Sequence, residues 1–457
     1  MAGEAFSRKS ECGMKTRFKV LLPLLLLAMP AAVEGQFFYT ITNGMVTITG
    51  YYGSSTVVTT PSTISGLPVT SIGSQAFWQN TSVTSVTISN SVTSMTIGDQ
   101  AFTGCTSLTT VTICTNVTNI GENAFAFCPS LTSVTIGSSV TNIGESAFYT
   151  CTNLTKLTIG TNVTSIGDYA FMGSSLPNAT IPNSVTSIGG NSFAACYSLK
   201  SVAIGNSVTN IGWGAFWGCT SLTSVIIPNS VISIGYDAFY YCTSLINATI
   251  GSGVTDIGDN AFYASGLTSV TIPDSVTNIG LAFYCCTNLI SATIGNGVTS
   301  IAGQAFWQNT SLTTIIIGKG VTNIGQNAFY LCTDLTGVYF KGNAPTTDPP
   351  LFNGDDNVTV YYLPGTTGWT SPLAGLPPVL WNAQMQTSGA SFGVRTNRFG
   401  FNITGNSGLV VVVEACMNLT NPVWSPLQTI TLTGSSVYFS DPQWTNYTRR
   451  FYGLGVP

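Results

Sequence analysis

The chain has 457 residues, 44% of them hydrophobic and only 7% charged, with a net charge of −4 and an isoelectric point near 4.7. This supplies ample core but no basic footprint for nucleic acid, so DNA and RNA are not expected partners. The absence of histidine removes Ser-His-Asp triads, histidine general acids and HExxH sites together.

The N-terminus reads as an export signal. Lys15, Arg17 and Lys19 precede an apolar run at residues 20–32, and Val33 and Gly35 suit cleavage before Gln36. The run is shorter than the roughly 20 residues a membrane span needs. Residues 1–35 are therefore expected to be removed, with Met14 as the working start. Secretion or the outer cell surface is the expected location.

Residues 37–42 and 45–49 alternate around Asn43-Gly44, a hairpin signal. They predict a cap over residues 36–63.

Residues 64–340 are organised by one repeat. Phe recurs at 77, 102, 125, 148, 171, 193, 216, 239, 262, 283, 306 and 329, mostly 23 residues apart. A typical copy carries Leu222, Val225 and Ile227, then Val231, Ile234 and Gly235, then Ala238-Phe239 and Cys242. One such coil cannot bury its own apolar face, so copies must stack. The expected fold is an α/β-type repeat solenoid, mostly β, of about twelve coils. Gly235 is expected to permit a bend and Ala238-Phe239 to form a short helical turn. Shortened copies at Ser174-Ser175-Leu176, Ser265-Gly266-Leu267 and Gly280-Leu281-Ala282 predict local kinks.

The string Ile120-Gly121-Glu122-Asn123-Ala124-Phe125, followed by Cys128 and Leu131, resembles the BspA-like class of bacterial leucine-rich repeats. The resemblance implies a surface or secreted protein used in adhesion and recognition, with no catalytic residues and no cofactor. Residues 341–383, rich in Pro and Gly, are expected to form a C-terminal cap and linker. Residues 384–457 carry strand-like runs that predict a small β module, and Arg449-Arg450-Phe451-Tyr452 resembles the ending of modules on other secreted repeat proteins.

Three residue patterns are candidates for chemistry. Eight cysteines (105, 128, 151, 196, 219, 242, 286 and 332) sit three residues after the repeat Phe, and Asn80, Asn309, Ser174 or Ser265 fill that slot elsewhere. A slot that accepts Cys, Asn or Ser reads as a ladder of free thiols rather than a pairing code, although stacked coils leave disulfides geometrically open. Zinc is disfavoured, with no CxxC pair. Asp99, Glu122, Glu145 and Asp168 share one slot, read as stabilising the helical turns, with a hard cation as the alternative. Outward strand positions such as Thr110, Thr112, Ser133 and Thr135 form a hydroxyl surface.

The sharper feature follows Ala-Phe. Six successive coils place Trp217, Tyr240, Tyr263, Tyr284, Trp307 and Tyr330 there, whereas the first six hold Trp78, Thr103, Ala126, Tyr149, Met172 and Ala194. Buried padding of the turns and an exposed binding ridge are both open from sequence. The expected function is non-catalytic binding of an extracellular glycan or protein, those six residues forming the ligand site. A structural coat protein is the alternative; an ice-binding protein or a polysaccharide-active enzyme, which would need an acidic cleft near the C-terminal module, is further off.

Overall fold

The computed structural model describes residues 36–456 except 90–93, 356 and 421. The segment read from sequence as an export signal lies outside the described residues, as does Asp356. Among the described residues no helix is long and apolar enough to cross a membrane.

The chain winds into a parallel β-solenoid of about 14 turns with almost no helix. Each coil contributes a leading strand, such as Ser224–Ile226, and a return strand, such as Ser233–Ile234. Successive leading strands pair in parallel, as Ser224, Val225 and Ile226 do with Asn247, Ala248 and Thr249. Successive return strands pair likewise, Ile211 with Ile234 and Ile234 with Ile257. Two parallel ladders thus enclose one core along the array. The inward Leu222, Val225, Ile227, Val231 and Ile234 are all buried.

A column of phenylalanines runs through that core. The twelve repeat rings stack face to face, joined by Phe352, with centroids 4.6–5.8 Å apart and ring planes within 2–19°. At the N-terminal end Tyr51 stacks on Phe77 at 5.4 Å. Tyr51 belongs to a hairpin of Phe37–Thr42 and Met45–Tyr51, turned through Asn43 and Gly44 at positive φ. Its second strand also pairs in parallel with Leu67–Ile72, which caps the return ladder.

Two sequence expectations change. The Ala-Phe segment is not a helical turn. Alternate amides bond locally, Ala238 to the Gly235 carbonyl and Tyr240 to that of Asp237, while Asp237, Phe239 and Tyr241 donate to the next coil. Asp237 and Tyr241 adopt φ of 57° and 56°. A helix would direct every amide back along its own chain; here half of them join neighbouring coils, forming a third ladder. The glycine after Ile serves close approach rather than bending, since a Cβ on Gly144 would lie 2.6 Å from the Gly121 carbonyl carbon.

Threonine follows a similar logic. The Thr164, Thr186 and Thr209 hydroxyls each donate to the backbone carbonyl one coil earlier at 3.0–3.1 Å. Thr109, Thr132 and Thr155 do the same beside the leading strands, at 2.8–3.3 Å. Part of the expected hydroxyl surface is therefore committed to the ladder itself.

The ladders break at shortened coils. The leading sheet is interrupted between Lys156–Thr158 and Asn178–Thr180. At this point Pro177 replaces a residue whose amide would donate, as Thr155 does to Thr132. The return sheet is interrupted between Asp256–Ile257 and Asn278–Ile279, beside the coil running from Phe262 to Phe283.

Past residue 340 the parallel ladder continues, Gly337–Phe340 pairing with Thr359–Tyr362 and that strand with Val379–Leu380. Two antiparallel sheets then form the C-terminal module. One holds Gln384–Met385, Gly393–Arg395, Arg398–Thr404 and Ser436–Asp441; the other holds Val410–Cys416, Ser425–Thr431 and Phe451–Gly455. Phe401, Ile403, Val411, Leu432 and Phe439 form its core, together with Tyr339 and Trp381 from the end of the solenoid.

Candidate binding surface

The slot after Ala-Phe follows two inward residues, Ala238 and Phe239, and lies at the edge of the core: Ala126 and Ala194 are buried in it, whereas larger side chains reach the surface. Trp217 is 37% exposed, and Tyr240, Tyr263, Tyr284, Trp307 and Tyr330 are half-buried. The structure brings all six into one continuous stack. Neighbouring centroids lie 4.2–6.3 Å apart and the planes within 7–29°.

This geometry decides what the ridge presents. Each inner ring lies against its neighbours' faces, so what the ridge leaves uncovered is ring edge rather than open π face. Aromatic edges carry partial positive charge and attract acceptors. At the first end the preceding coil offers Ala194, which leaves the outer face of Trp217 without a ring partner in this column. Burial raises the Tyr240, Tyr263 and Tyr284 phenols, Tyr263 to about 12, with the Cys285 thiol adding to the effect. The phenols therefore stay neutral and can donate. Cys285 itself contacts the Gln308 side-chain oxygen at 3.1 Å.

Sequence reasoning missed one neighbour of the ridge and a second aromatic pair. Tyr241 packs edge-on to Tyr240 at 4.8 Å and is 45% exposed. Trp213 and Tyr236 stack at 5.7 Å in the slot after Ile-Gly. Their recurrence in adjacent coils was the signal available.

The cysteine slot resolves into hydrogen bonding. Each ladder thiol donates to the Phe carbonyl one coil earlier at 3.0–3.4 Å, and Asn309 does so through Nδ2 at 2.9 Å. The eleven described cysteines are free thiols. Two members of the acidic row brace backbone rather than helix ends: Asp99 accepts from the Glu122 amide at 2.9 Å and Asp168 from the Gly190 amide at 2.6 Å, while Glu122 accepts from the Asn123 side-chain amide at 3.1 Å. Among the described residues no three His, Cys, Asp or Glu side chains gather as a metal site.

Two clefts lie away from the ridge residues. Where the leading sheet is interrupted, Leu157, Ile159, Ile181 and Ile204 line an uncharged cleft of about 640 Å³. Between solenoid and module lies another of about 380 Å³, whose charged lining is Glu414 and Lys341. It offers one carboxylate, not the pair that hydrolytic acid–base chemistry uses.

A model of the BspA type leucine rich repeat region matches residues 70–196, 164–282 and 281–367, more than half of the chain. No curated protein matches. Similar solved structures include a leucine-rich repeat protein from Bacteroides ovatus, 26% identical, covering 72% of this chain and 94% of that one, with a TM-score of 0.49. A leucine rich cell surface protein from Faecalibacterium prausnitzii is 28% identical over 68% of this chain and 94% of that one, at 0.40. The pneumococcal vaccine antigen PcpA is 21% identical over 73% and 87%, at 0.44.

Proposed function

This chain belongs to the BspA-type leucine-rich repeat family, and from that premise we propose that it is an exported, non-catalytic binding protein that recognises an extracellular glycan or protein through its aromatic ridge. The observation that carries this reading is the asymmetry of the ridge. Core packing and the phenylalanine stack run through the whole array, yet the unbroken run of six partly exposed rings occupies only its second half. Fold stability does not require them, since Thr103, Ala126 and Ala194 serve the same slot in the first half. Each Trp or Tyr offers large contact area at low entropy cost. The signal-like segment at residues 1–35 supports export, and the chain's lack of histidine and of a carboxylate pair in its module cleft supports the non-catalytic reading.

The test is the triple replacement of Tyr263, Tyr284 and Trp307 by Ser in the chain from residue 36. Binding to the uncharged ligands of a glycan array should be abolished while the melting curve holds. Retained binding would remove the ridge from the site. A collapsed melting curve would instead make the rings structural and favour a coat protein.

A further inference from the structure

Arginine is confined to one part of the exported chain. After residue 35 it occurs at 395, 398, 449 and 450 alone, all within the C-terminal module. Two of these create an electrostatic conflict. Arg395 and Arg398 stand directly opposite each other across the antiparallel pair Gly393–Arg395 and Arg398–Thr404, closed by Thr396 and Asn397 at positive φ. Like charges at opposed positions of a sheet destabilise it. Neither of the module's carboxylates relieves them. Asp441 lies opposite Phe399, on the inward face, and pairs with Arg450 at 2.7 Å; Glu414 lines the cleft beside Lys341.

Strand alternation shows what surrounds the pair. Phe399, Phe401 and Ile403 turn to the module core, so Arg398, Gly400 and Asn402 share the opposite face. Across from them, Tyr438 pairs with Asn402 and Ser440 with Gly400. A Cβ on Gly400 would run into the Tyr438 hydroxyl, so the missing side chain is what lets that ring extend over the sheet. Tyr438 is 45% exposed. These residues line a cleft of about 680 Å³ that has two guanidinium groups, hydroxyls and an amide, and no acid.

We propose that this cleft binds an acidic polysaccharide, its carboxylate or sulfate groups seated between Arg395 and Arg398 and its sugar hydroxyls on Asn402, Ser440 and the Tyr438 tip. Guanidinium forks match both anions in paired hydrogen bonds. An anion between the arginines also turns the like-charge contact into an attractive one. The Asn and Ser partners favour a sugar over a bare ion or a lipid headgroup, since they supply hydrogen bonds beyond the charge. The site is separate from the aromatic ridge and stands whether or not the ridge binds.

The test uses the full chain from residue 36 in calorimetric titrations with polygalacturonate and dextran sulfate, with neutral dextran and phosphatidylglycerol vesicles as further arms. One or both acidic polymers should bind, and neutral dextran should not. The double variant R395Q/R398Q should weaken that binding at least tenfold with a melting temperature no lower than the parent's, while R449Q and the ridge triple variant retain it. Unchanged binding by R395Q/R398Q overturns the proposal. So does an equal loss in R449Q, which would mean diffuse charge, or binding to vesicles alone, which would mean a membrane surface.

Discussion

Cys219 donates its thiol hydrogen to the backbone carbonyl of Phe193, 3.2 Å away in the preceding coil. Both residues are fully buried, so that oxygen has no water to turn to. Asn309 answers Phe283 in the same way, which explains why the slot tolerates chemically different residues. Replacing Cys219 by Val fills the space but removes the donor, and should cost about 1–3 kcal/mol. Asn309→Cys should stay within about 1 kcal/mol of the parent, because it restores the commoner donor. Urea unfolding of the two variants decides it; equal costs would mean the slot is filled for packing alone.

The same burial sets a pH dependence. Desolvation raises the Cys196 thiol to about 11 and Cys151, Cys242 and Cys286 to about 12. An unfolded thiol titrates near about 8.5. Above that pH the unfolded chain binds fewer protons than the folded one, so stability falls as pH rises. The neutral thiols contribute fully below about pH 8.5, and their contribution is lost progressively towards pH 11–12. The urea midpoint should therefore drop between pH 8 and 10, and drop less when Cys196 and Cys242 are replaced by Ser. A midpoint flat over that range would contradict the burial. Alkylation of the native protein should reach the half-buried Cys285 before Cys242.

Phe239 has ring neighbours at 5.2 and 5.3 Å, one in each adjacent coil. Phe239→Ala should cost about 3–5 kcal/mol, because rings held from both sides by ladder-bonded coils cannot close over the gap. A loss under about 1 kcal/mol in calorimetric unfolding would put the ring outside the core.

The periodicity of Phe77 through Phe329 was legible because every coil repeats one packing problem, and the same repetition exposed the Cys slot. What the sequence could not carry were choices made between coils. Asp237 and Tyr241 take positive φ because their amides reach the next coil, a demand invisible within one repeat. Phe352 keeps the 23-residue step but stands after Leu351 and two prolines, without the Ile-Gly and Ala that mark the other copies, so the ladder past residue 340 was hidden. For the ridge, its membership was legible, while the degree of exposure depended on how the rings stack. The Arg395–Arg398 opposition required the register of the module's hairpin, which two short runs do not define.

Glycine after the repeat isoleucine gives the sharpest contrast between the two kinds of information. Read along one coil, Gly235 looks like a bend. In the stack, a methyl group there would sit 2.6 Å from the Trp213 nitrogen and 2.7 Å from the Gly212 carbonyl carbon, both backbone atoms of the preceding coil. Backbone fixed by the return ladder cannot step aside as a side chain would. Eleven of the twelve coils place glycine in this slot. The exception, Ala302, follows the shortened coil, where a Cβ on the preceding Gly280 would meet the Asp259 carboxylate rather than backbone. Gly235→Ala should therefore destabilise by about 1–3 kcal/mol or more through overpacking, despite a smaller change in composition than Phe239→Ala. Ala302→Gly should cost no more than about 1 kcal/mol, the ordinary backbone entropy penalty. Melting curves for both variants check the argument. If Gly235→Ala unfolds with the parent, the coils are not in backbone contact at that corner and the close-approach account of the glycine column fails.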